Sequence, residues 1–174
     1  MIINGQALLD KAPIKNMLTT KERVNDISHG LAEVGYDIRL KQDVRFYPPR
    51  YQMTSSRGPV RAPAHSIDDR DLRYIGNFCL ASTIEEFQMP DDLTGIVHDK
   101  STWARHGLSV FNTVIEPGWK GFLTLELVYH GQEPLHIPAG SGIAQAIFHQ
   151  VQIPANYQGR YQNQADRPIR PCNT

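Results

Sequence analysis

The segment from Lys100 to Leu127, KSTWARHGLSVFNTVIEPGWKGFLTLEL, indicates most clearly how this chain folds. It reads as a polar turn, a short strand, a Pro-Gly turn at 117–118 and a second strand over 122–127. Glu126 interrupts the apolar frame of the second strand, and a carboxylate is costly to bury there unless it has a partner. Arg105, in the polar turn, is a candidate partner. The segment therefore predicts strands joined by tight turns, with a charged pair beside them.

Short strands separated by glycine and proline turns are expected along most of the chain. The predicted strands are Tyr36–Leu40, Val44–Tyr47, Tyr74–Glu85 (one strand or two), Gly95–His98, Leu108–Val114, Phe122–Tyr129 and Ile143–His149. Only the first 31 residues look helical, with a short helix through Gln6–Asp10 that ends before Pro13. Residues 48–71 read as a long irregular insert with room for a short strand near Val60. Many short strands and little helix predict an all-β antiparallel sandwich or barrel.

Composition excludes several classes of function. The 174 residues favour one domain, and a formal net charge of zero gives no overall attraction to nucleic acid or to an anionic membrane. No apolar run approaches the ~20 residues that span a bilayer. The N-terminus lacks the basic and apolar segments of a signal peptide. Cys79 and Cys172 form no C-x-x-C motif, so we expect two thiols in a reducing cytoplasm.

Several motifs, in a consistent order, resemble the dCTP deaminase family, a branch of the trimeric dUTPase superfamily. The core match is KSTWARHGL at 100–108 followed by EPGWKGFLTLEL at 116–127. It is similar to the family's basic residue, Ser-Ser pair and Arg, then its D-P-G-aromatic-x-G turn and a strand ending in T/V-L-E. Weaker matches lie at GYDIRL (35–40), MPDDLTG (89–95), PAG to QAIF (138–148) and YQGRYQNQ (157–164).

The resemblance implies a dUTPase-like distorted jelly-roll (β-clip) with a short N-terminal helix, formed by a single domain over residues 1–174. It also implies a homotrimer with sites between subunits, in which residues 156–174 close over the nucleotide of a neighbouring subunit. The implied reaction is hydrolysis of dCTP to dUTP and ammonia, which supplies dUTP and dUMP for thymidylate synthesis.

The residues restrict how such a reaction can proceed. Zinc-dependent deamination needs H-x-E with P-C-x-x-C, and the sequence contains neither. A carboxylate can instead take a proton from water and return protons to the ring nitrogen and the departing amine, provided that burial keeps its pKa near neutrality. Glu126 suits this role and matches the family's catalytic Glu. The resemblance adds Arg105 to orient Glu126, and Ser101 to bind the water or substrate.

The predicted substrate-binding residues extend from the polar turn to the C-terminal segment. They are Lys100, Ser101, Thr102, Arg105, Glu116, Thr124, Leu125, Glu126, Tyr157, Arg160 and Gln164. Among them, cationic and amide side chains would bind phosphate, Glu116 would accept from the 3′-hydroxyl, and Tyr157 offers a stacking face. Mg²⁺ would arrive with the triphosphate, and no zinc site or other protein-held metal is expected.

Two departures from the family pattern keep other functions open. Glu116 replaces the family's Asp, and residues 111–115 look one or two residues shorter than the loop that holds the cytosine edge. VIEPGWKG at 114–121 is closer to a dUTPase pattern, in which the acidic residue activates water for attack on the α-phosphate. A dUTP diphosphatase, a bifunctional deaminase–diphosphatase and a non-catalytic nucleotide-binding regulator are therefore alternatives.

Overall fold

The structure is a computed structural model that describes residues 1–48 and 71–171, with the backbone alone described for 71–75. Most of the predicted insert, including Val60, and residues 172–174 lie outside the described residues. Two helices occur in the described part, α1 (Gly5–Lys11) and α2 (Ser101–Ala104). The strands are β1 (Ile2–Ile3), β2 (Lys21–Val24), β3 (Ile27–Leu31), β4 (Tyr36–Arg39), β5 (Asp43–Tyr47), β6 (Asp71–Ile75), β7 (Phe78–Gln88), β8 (Leu93–Asp99), β9 (Leu108–Val110), β10 (Val114–Ile115), β11 (Lys120–Tyr129), β12 (Leu135–Ile137) and β13 (Gly142–Gln150).

The strands of the described residues form three sheets. The largest has the order β10-β8-β13-β4-β3-β2, with β1 added on β13. A second sheet has the order β7-β11-β9, and a third the order β12-β5-β6, in which β5 and β6 are parallel. The predicted all-β class is confirmed, and so is the predicted N-terminal helix, which is α1.

A single predicted strand, Leu108–Val114, is in fact two strands in different sheets. β9 pairs with β11, with Leu127 opposite Val110, whereas β10 pairs with β8, with Ile115 opposite Gly95. Residues 111–113 carry the chain from one sheet to the other. The prediction was wrong because these residues are ordinary β-formers, and only their distant partners separate the two strands.

The β2–β3 hairpin was missed because the N-terminal region was read as helical. Asn25 and Asp26 connect the two strands, and both have a left-handed backbone, with φ of 52° and 61°. This is the conformation of a tight hairpin turn, which asparagine and aspartate tolerate better than most residues. The Asn-Asp pair between KERV and ISHGL was the available signal. The short strands β1 and β12 were also not predicted.

The core lies between the sheets and fixes the strands that matter for function. Leu125 and Leu127 of β11 are fully buried, as are Ile38 of β4 and Phe148 of β13. Burying an aliphatic or aromatic side chain of this size contributes roughly 1.5–3 kcal/mol. The inward side of β11 is therefore held firmly, and its other side is left to carry polar groups.

Candidate active site

Strand β11 presents Glu126 from a rigid frame. Leu80 of β7 lies opposite Glu126 on one side, and on the other the Phe111 N–H donates to the Glu126 carbonyl at 2.9 Å. Leu125 and Leu127 point into the core, so Thr124 and Glu126 share the opposite face. This arrangement agrees with the alternation that the sequence of residues 124–127 indicates for a strand.

The face that carries Glu126 borders a cavity of about 380 Å³. The carboxylates of Glu116 and Glu126 both line it, as do the aromatic side chains of Trp119, Tyr157 and Tyr161. The cavity therefore combines two acidic groups with several ring faces, a combination suited to a small ligand that carries a base.

Glu126 is half-buried in this cavity. Desolvation raises the pKa of the Glu126 carboxyl above its ordinary value of 4.5, and a hydrogen bond to its own backbone opposes the shift only in part. A carboxyl with a raised pKa in a cleft is a typical general acid–base group. The shift of the Glu126 pKa has the direction that a general base acting near neutral pH needs.

Arg105 does not form the expected ion pair with Glu126 within this chain, among the residues described. Arg105 follows α2, and two residues later the Gly107 carbonyl accepts from the His130 N–H at 2.8 Å, just past the end of β11. That point lies four residues beyond Glu126, or roughly 13 Å along the strand at about 3.3 Å per residue. The intervening length of strand separates the two charges.

Ser101, the first residue of α2, and Arg105, which follows its last residue, are both exposed, and neither lines the cavity that contains Glu126. Thr102 is half-buried beside them. The two catalytic partners predicted for Glu126 therefore lie on a separate surface of the same chain.

Lys100 points inward instead of joining that surface. Its Nζ donates to Asp37 Oδ2 at 2.5 Å, and only 10% of the Lys100 side chain and 6% of the Asp37 side chain are exposed. The phosphate contact predicted for Lys100 stays a prediction, and the ammonium would have to leave Asp37 to make it. Local sequence does not indicate this pairing, since Asp37 lies 63 positions before Lys100.

The C-terminal segment, residues 156–171, lies along β11 of its own chain. The Trp119 Nε1–H donates to the Tyr161 carbonyl at 2.6 Å, and the Phe122 N–H donates to the Gln164 carbonyl at 3.1 Å. Tyr157 and Gln164 both line the cavity beside Glu126 of their own chain, whereas the resemblance implies closure over the nucleotide of a neighbouring subunit. Arg160 is exposed on this segment and does not line the cavity. Sequence reasoning missed Trp119, although an aromatic residue between the two glycines of the turn was a visible signal.

Two glycines of the 117–121 turn make room for the C-terminal segment. A Cβ on Gly121 would lie 2.5 Å from the Gln164 nitrogen, and a Cβ on Gly118 would lie 2.1 Å from Asn156 Oδ1. Both glycines also have positive φ, 129° and 74°, which other residues rarely adopt. The turn therefore serves as the docking surface for this segment.

Thr124 and Leu125, two predicted binding residues of β11, have side chains that are already hydrogen-bonded or buried. The Thr124 hydroxyl donates to Gln164 Oε1 at 3.2 Å and accepts from the Ile169 N–H at 3.0 Å. The Leu125 side chain is fully buried, which leaves only its backbone for a ligand. While the segment is docked, Thr124 holds the segment and has no unused hydroxyl proton for a substrate.

In the described residues, no group of three or more His, Cys, Asp or Glu side chains is arranged to hold a metal ion. Among the same residues, neither helix has the length and apolar character needed to cross a bilayer.

Comparison with protein families gives a match over most of the chain. A family model described as dCTP deaminase-like matches residues 8–151. The dCTP deaminase of Campylobacter lari is 34% identical over 151 residues, which cover 79% of this chain and 78% of that protein.

Solved structures with similar folds include a deaminase and a dUTPase. The 2′-deoxycytidine 5′-triphosphate deaminase from Agrobacterium tumefaciens aligns with a TM-score of 0.53 at 16% identity, over 86% of this chain and 48% of that chain. A mutant dUTPase from phage phi11 of S. aureus, whose structure describes a structural Mg(II) ion, aligns with a TM-score of 0.51 at 14% identity, over 84% of this chain and 92% of that chain. The predicted dUTPase-like jelly-roll fold is confirmed.

Proposed function

The chain belongs to the dCTP deaminase-like family, and from that premise we propose that it hydrolyses dCTP to dUTP and ammonia. The observation that carries the proposal is Glu126, a half-buried carboxylate with a raised pKa in a cavity large enough for a nucleoside. Its product would supply dUTP, and through it dUMP, for thymidylate synthesis in the cytoplasm.

In the proposed reaction, water attacks C4 of cytosine while the Glu126 carboxylate takes a proton from it. The carboxyl returns that proton to N3, then takes the hydroxyl proton of the tetrahedral adduct and passes it to the amino group. The C4–N bond breaks as the C4 carbonyl forms, and the amino group leaves as ammonia. One water adds and one ammonia leaves, so the ring ends as uracil. General acid–base assistance of this kind contributes ~10²–10⁴-fold to the rate, and no zinc ion takes part.

A second copy of the chain would provide the other half of the site. Ser101 and Arg105 are exposed and lie away from Glu126 in their own chain, an arrangement expected when the two halves meet across a subunit interface. We therefore propose a homotrimer in which Ser101 of one subunit binds the water or substrate and Arg105 orients Glu126 of its neighbour.

The remaining substrate contacts follow from the same arrangement. Thr102, Arg105, Arg160 and Gln164 would bind the triphosphate, with the charge of Lys100 behind them. Mg²⁺ would enter as part of the nucleotide, and the described residues offer it no cluster of ligands. Inside the cavity, we propose that Glu116 accepts a hydrogen bond from the 3′-hydroxyl and that the base stacks on the ring of Tyr157. The edge of the base would contact the β11 backbone at Thr124–Leu125.

A dUTP diphosphatase activity, alone or beside deamination, is the second candidate. The observation that favours it is Glu116, which lines the same cavity as Glu126 and could activate water for attack on the α-phosphate. In that reaction pyrophosphate would leave and dUMP would form.

One experiment separates these functions. The protein is incubated separately with dCTP, dUTP and dCMP in the presence of Mg²⁺, and the nucleotides, ammonia and pyrophosphate are measured. Ammonia and dUTP from dCTP alone are the expected products. Pyrophosphate from dUTP, with dCTP unchanged, would assign the diphosphatase activity instead, and no product from any nucleotide would leave the regulator alternative.

A further inference from the structure

Helix α2 cannot hold itself in place. It has only four residues, Ser101–Ala104, and the Lys100 side chain before it makes no capping hydrogen bond. Isolated helices of this length are not stable in water, since nucleation costs more than one turn returns. The direction in which Ser101 and Arg105 point must therefore be set by contacts with the rest of the fold.

Three contacts anchor this turn within the described residues. The buried Trp103 donates from Nε1 to the Gly142 carbonyl at 2.7 Å, and Asp99 Oδ1 accepts from the Val110 N–H at 2.7 Å. The third contact is the Lys100–Asp37 ion pair. This ion pair holds Lys100, the residue immediately before Ser101. It therefore fixes the position from which the exposed end of the turn starts.

Asp37 is a fixed point for Lys100. It lies on β4, between β3 and β13, and is 4% exposed. Its Oδ2 also accepts from Ser28 Oγ at 3.2 Å. A carboxylate held by its strand and by a neighbouring hydroxyl cannot follow the ammonium outward, so Lys100 is drawn inward.

An ion pair this deeply buried needs a reason other than stability. Removing two charges from water costs about as much as their attraction returns, and apolar residues of the same volume often stabilise a fold equally well. What an apolar pair would not provide is a directed contact that fixes the turn and keeps a positive charge directly behind it.

We propose that Asp37 is a positioning residue of the deamination site, which acts through Lys100 to fix the turn bearing Ser101 and Arg105; this role rests on the proposed function. Asp37 touches neither substrate nor the reacting atoms. Loss of its charge releases the turn, and displacements of about 1 Å at a reacting group can cost on the order of 10²-fold in rate.

The ion pair between Arg39 and Glu85 is a matched control, since Arg39 lies on β4 as Asp37 does. Glu85 accepts from both the backbone N–H and Nε of Arg39, each at 2.8 Å, and its side chain is 2% exposed. This pair resembles Asp37–Lys100 in having an almost fully buried carboxylate, although 27% of the Arg39 side chain is exposed. It joins β4 to β7 and involves no residue of the α2 turn. Glu85→Gln therefore removes a buried ion pair without releasing the turn.

The test compares Asp37→Asn, Glu85→Gln and the double variant Asp37→Asn/Lys100→Met in thermal unfolding, in dCTP turnover and in calorimetric binding of dCTP and dUTP. Both single variants should lower Tm, but only Asp37→Asn should weaken dCTP binding and raise KM, by ~10-fold or more. The double variant should regain Tm, because it no longer buries an unpaired ammonium, and should keep the raised KM.

Three results would overturn the role of Asp37. They are a KM and Kd for Asp37→Asn that stay at the native values, recovery of KM together with Tm in the double variant, and an equal rise in KM for Glu85→Gln. Failure of the proposed function looks different, because the native protein would then release no ammonia from dCTP. In that case the binding constants for dCTP and dUTP still decide whether Asp37 positions the turn.

Discussion

Two polar regions of this molecule, the Glu126 face of β11 and the α2 turn, have opposite surroundings. Glu126 is half-buried in a cavity that the chain's own C-terminal segment helps to enclose, and desolvation raises the pKa of its carboxyl. Ser101 and Arg105 are exposed, at the start of a one-turn helix and just after its end, and neither lines that cavity. The surroundings of Glu126 are thus provided by its own chain. For the α2 turn, the same chain provides the anchors but, within the described residues, no binding partner for the side chains of Ser101 and Arg105.

The difference indicates how a site shared between chains would take its acid–base group from one chain and its phosphate-binding turn from another. Glu126 needs removal from water to raise its pKa, and its own chain provides that environment. A phosphate-binding turn needs exposed donors held in a fixed direction, and buried anchors behind it provide this without covering its surface. In the proposed trimer, the two halves would form separately and meet across the interface between chains.

The largest expected effect is on the Glu126 side of this comparison. Glu126→Gln keeps the size of the side chain but cannot take a proton from water, so turnover of dCTP should fall by ~10²–10⁴-fold. Calorimetric binding of dCTP should persist. Glu116→Gln is the matched control in the same cavity, and it should raise KM more than it lowers turnover. The opposite pattern in the two variants would transfer the catalytic role to Glu116.

The exposed turn should give the next largest effect. Arg105→Ala removes charge-assisted contacts worth roughly 1.5–3 kcal/mol, so KM should rise by ~10- to 100-fold and turnover should also fall. Arg23→Ala, at an exposed position on β2, removes the same charge elsewhere and should change neither parameter. Steady-state kinetics with dCTP measure both variants, and native kinetics for Arg105→Ala would place the phosphate site elsewhere.

The docked C-terminal segment can be loosened without touching either carboxylate. Gly121→Ala would place its Cβ 2.5 Å from the Gln164 nitrogen, so the segment should leave β11 and dCTP binding should weaken by several-fold, about the value of one or two hydrogen bonds. Gly76→Ala is a close control, since Gly76 has the same φ of 129° and no atom within 4 Å of its Cβ position. Equal losses of dCTP binding in both variants, measured by calorimetry, would mean that backbone strain and not docking is responsible.

The smallest expected effect is on stability. Because the folded state raises the pKa of Glu126 above 4.5, this group favours the native state when protonated and opposes it once pH exceeds that raised pKa. Glu126→Gln should therefore raise Tm relative to the native protein, little at pH 4 and more at pH 8. Thermal unfolding across this range checks the sign, and a variant that is less stable at pH 8 would show that the carboxylate has a stabilising partner.

Local pattern was sufficient to predict most of the strands and the side of β11 on which Glu126 lies. Alternation along residues 124–127 predicted that Glu126 faces away from Leu125 and Leu127, and the structure agrees. The position of Lys100 could not be predicted, because an inward ammonium and an outward one look alike in sequence. Its partner Asp37 is brought near only when β4 joins the sheet.

The same limit explains the other differences. The change of sheet between β9 and β10 depends on pairing with β11 and β8, which no local propensity encodes. Trp119 holds the C-terminal segment through a carbonyl 42 positions away. Long-range contacts such as these decide which surfaces of the site are open and which are occupied.

The division of the site between chains can be tested directly by mixing two inactive variants. Glu126→Gln and Arg105→Ala subunits are dissociated, combined in equal amounts and reassembled, and ammonia release from dCTP is measured against each parent treated alone. If each site takes Glu126 from one subunit and Arg105 from its neighbour in a cyclic trimer, about a quarter of the sites combine the two native residues, and activity should recover to roughly that fraction. Activity that stays at the level of the parents, in mixed oligomers shown to have formed, would contradict a site shared between subunits.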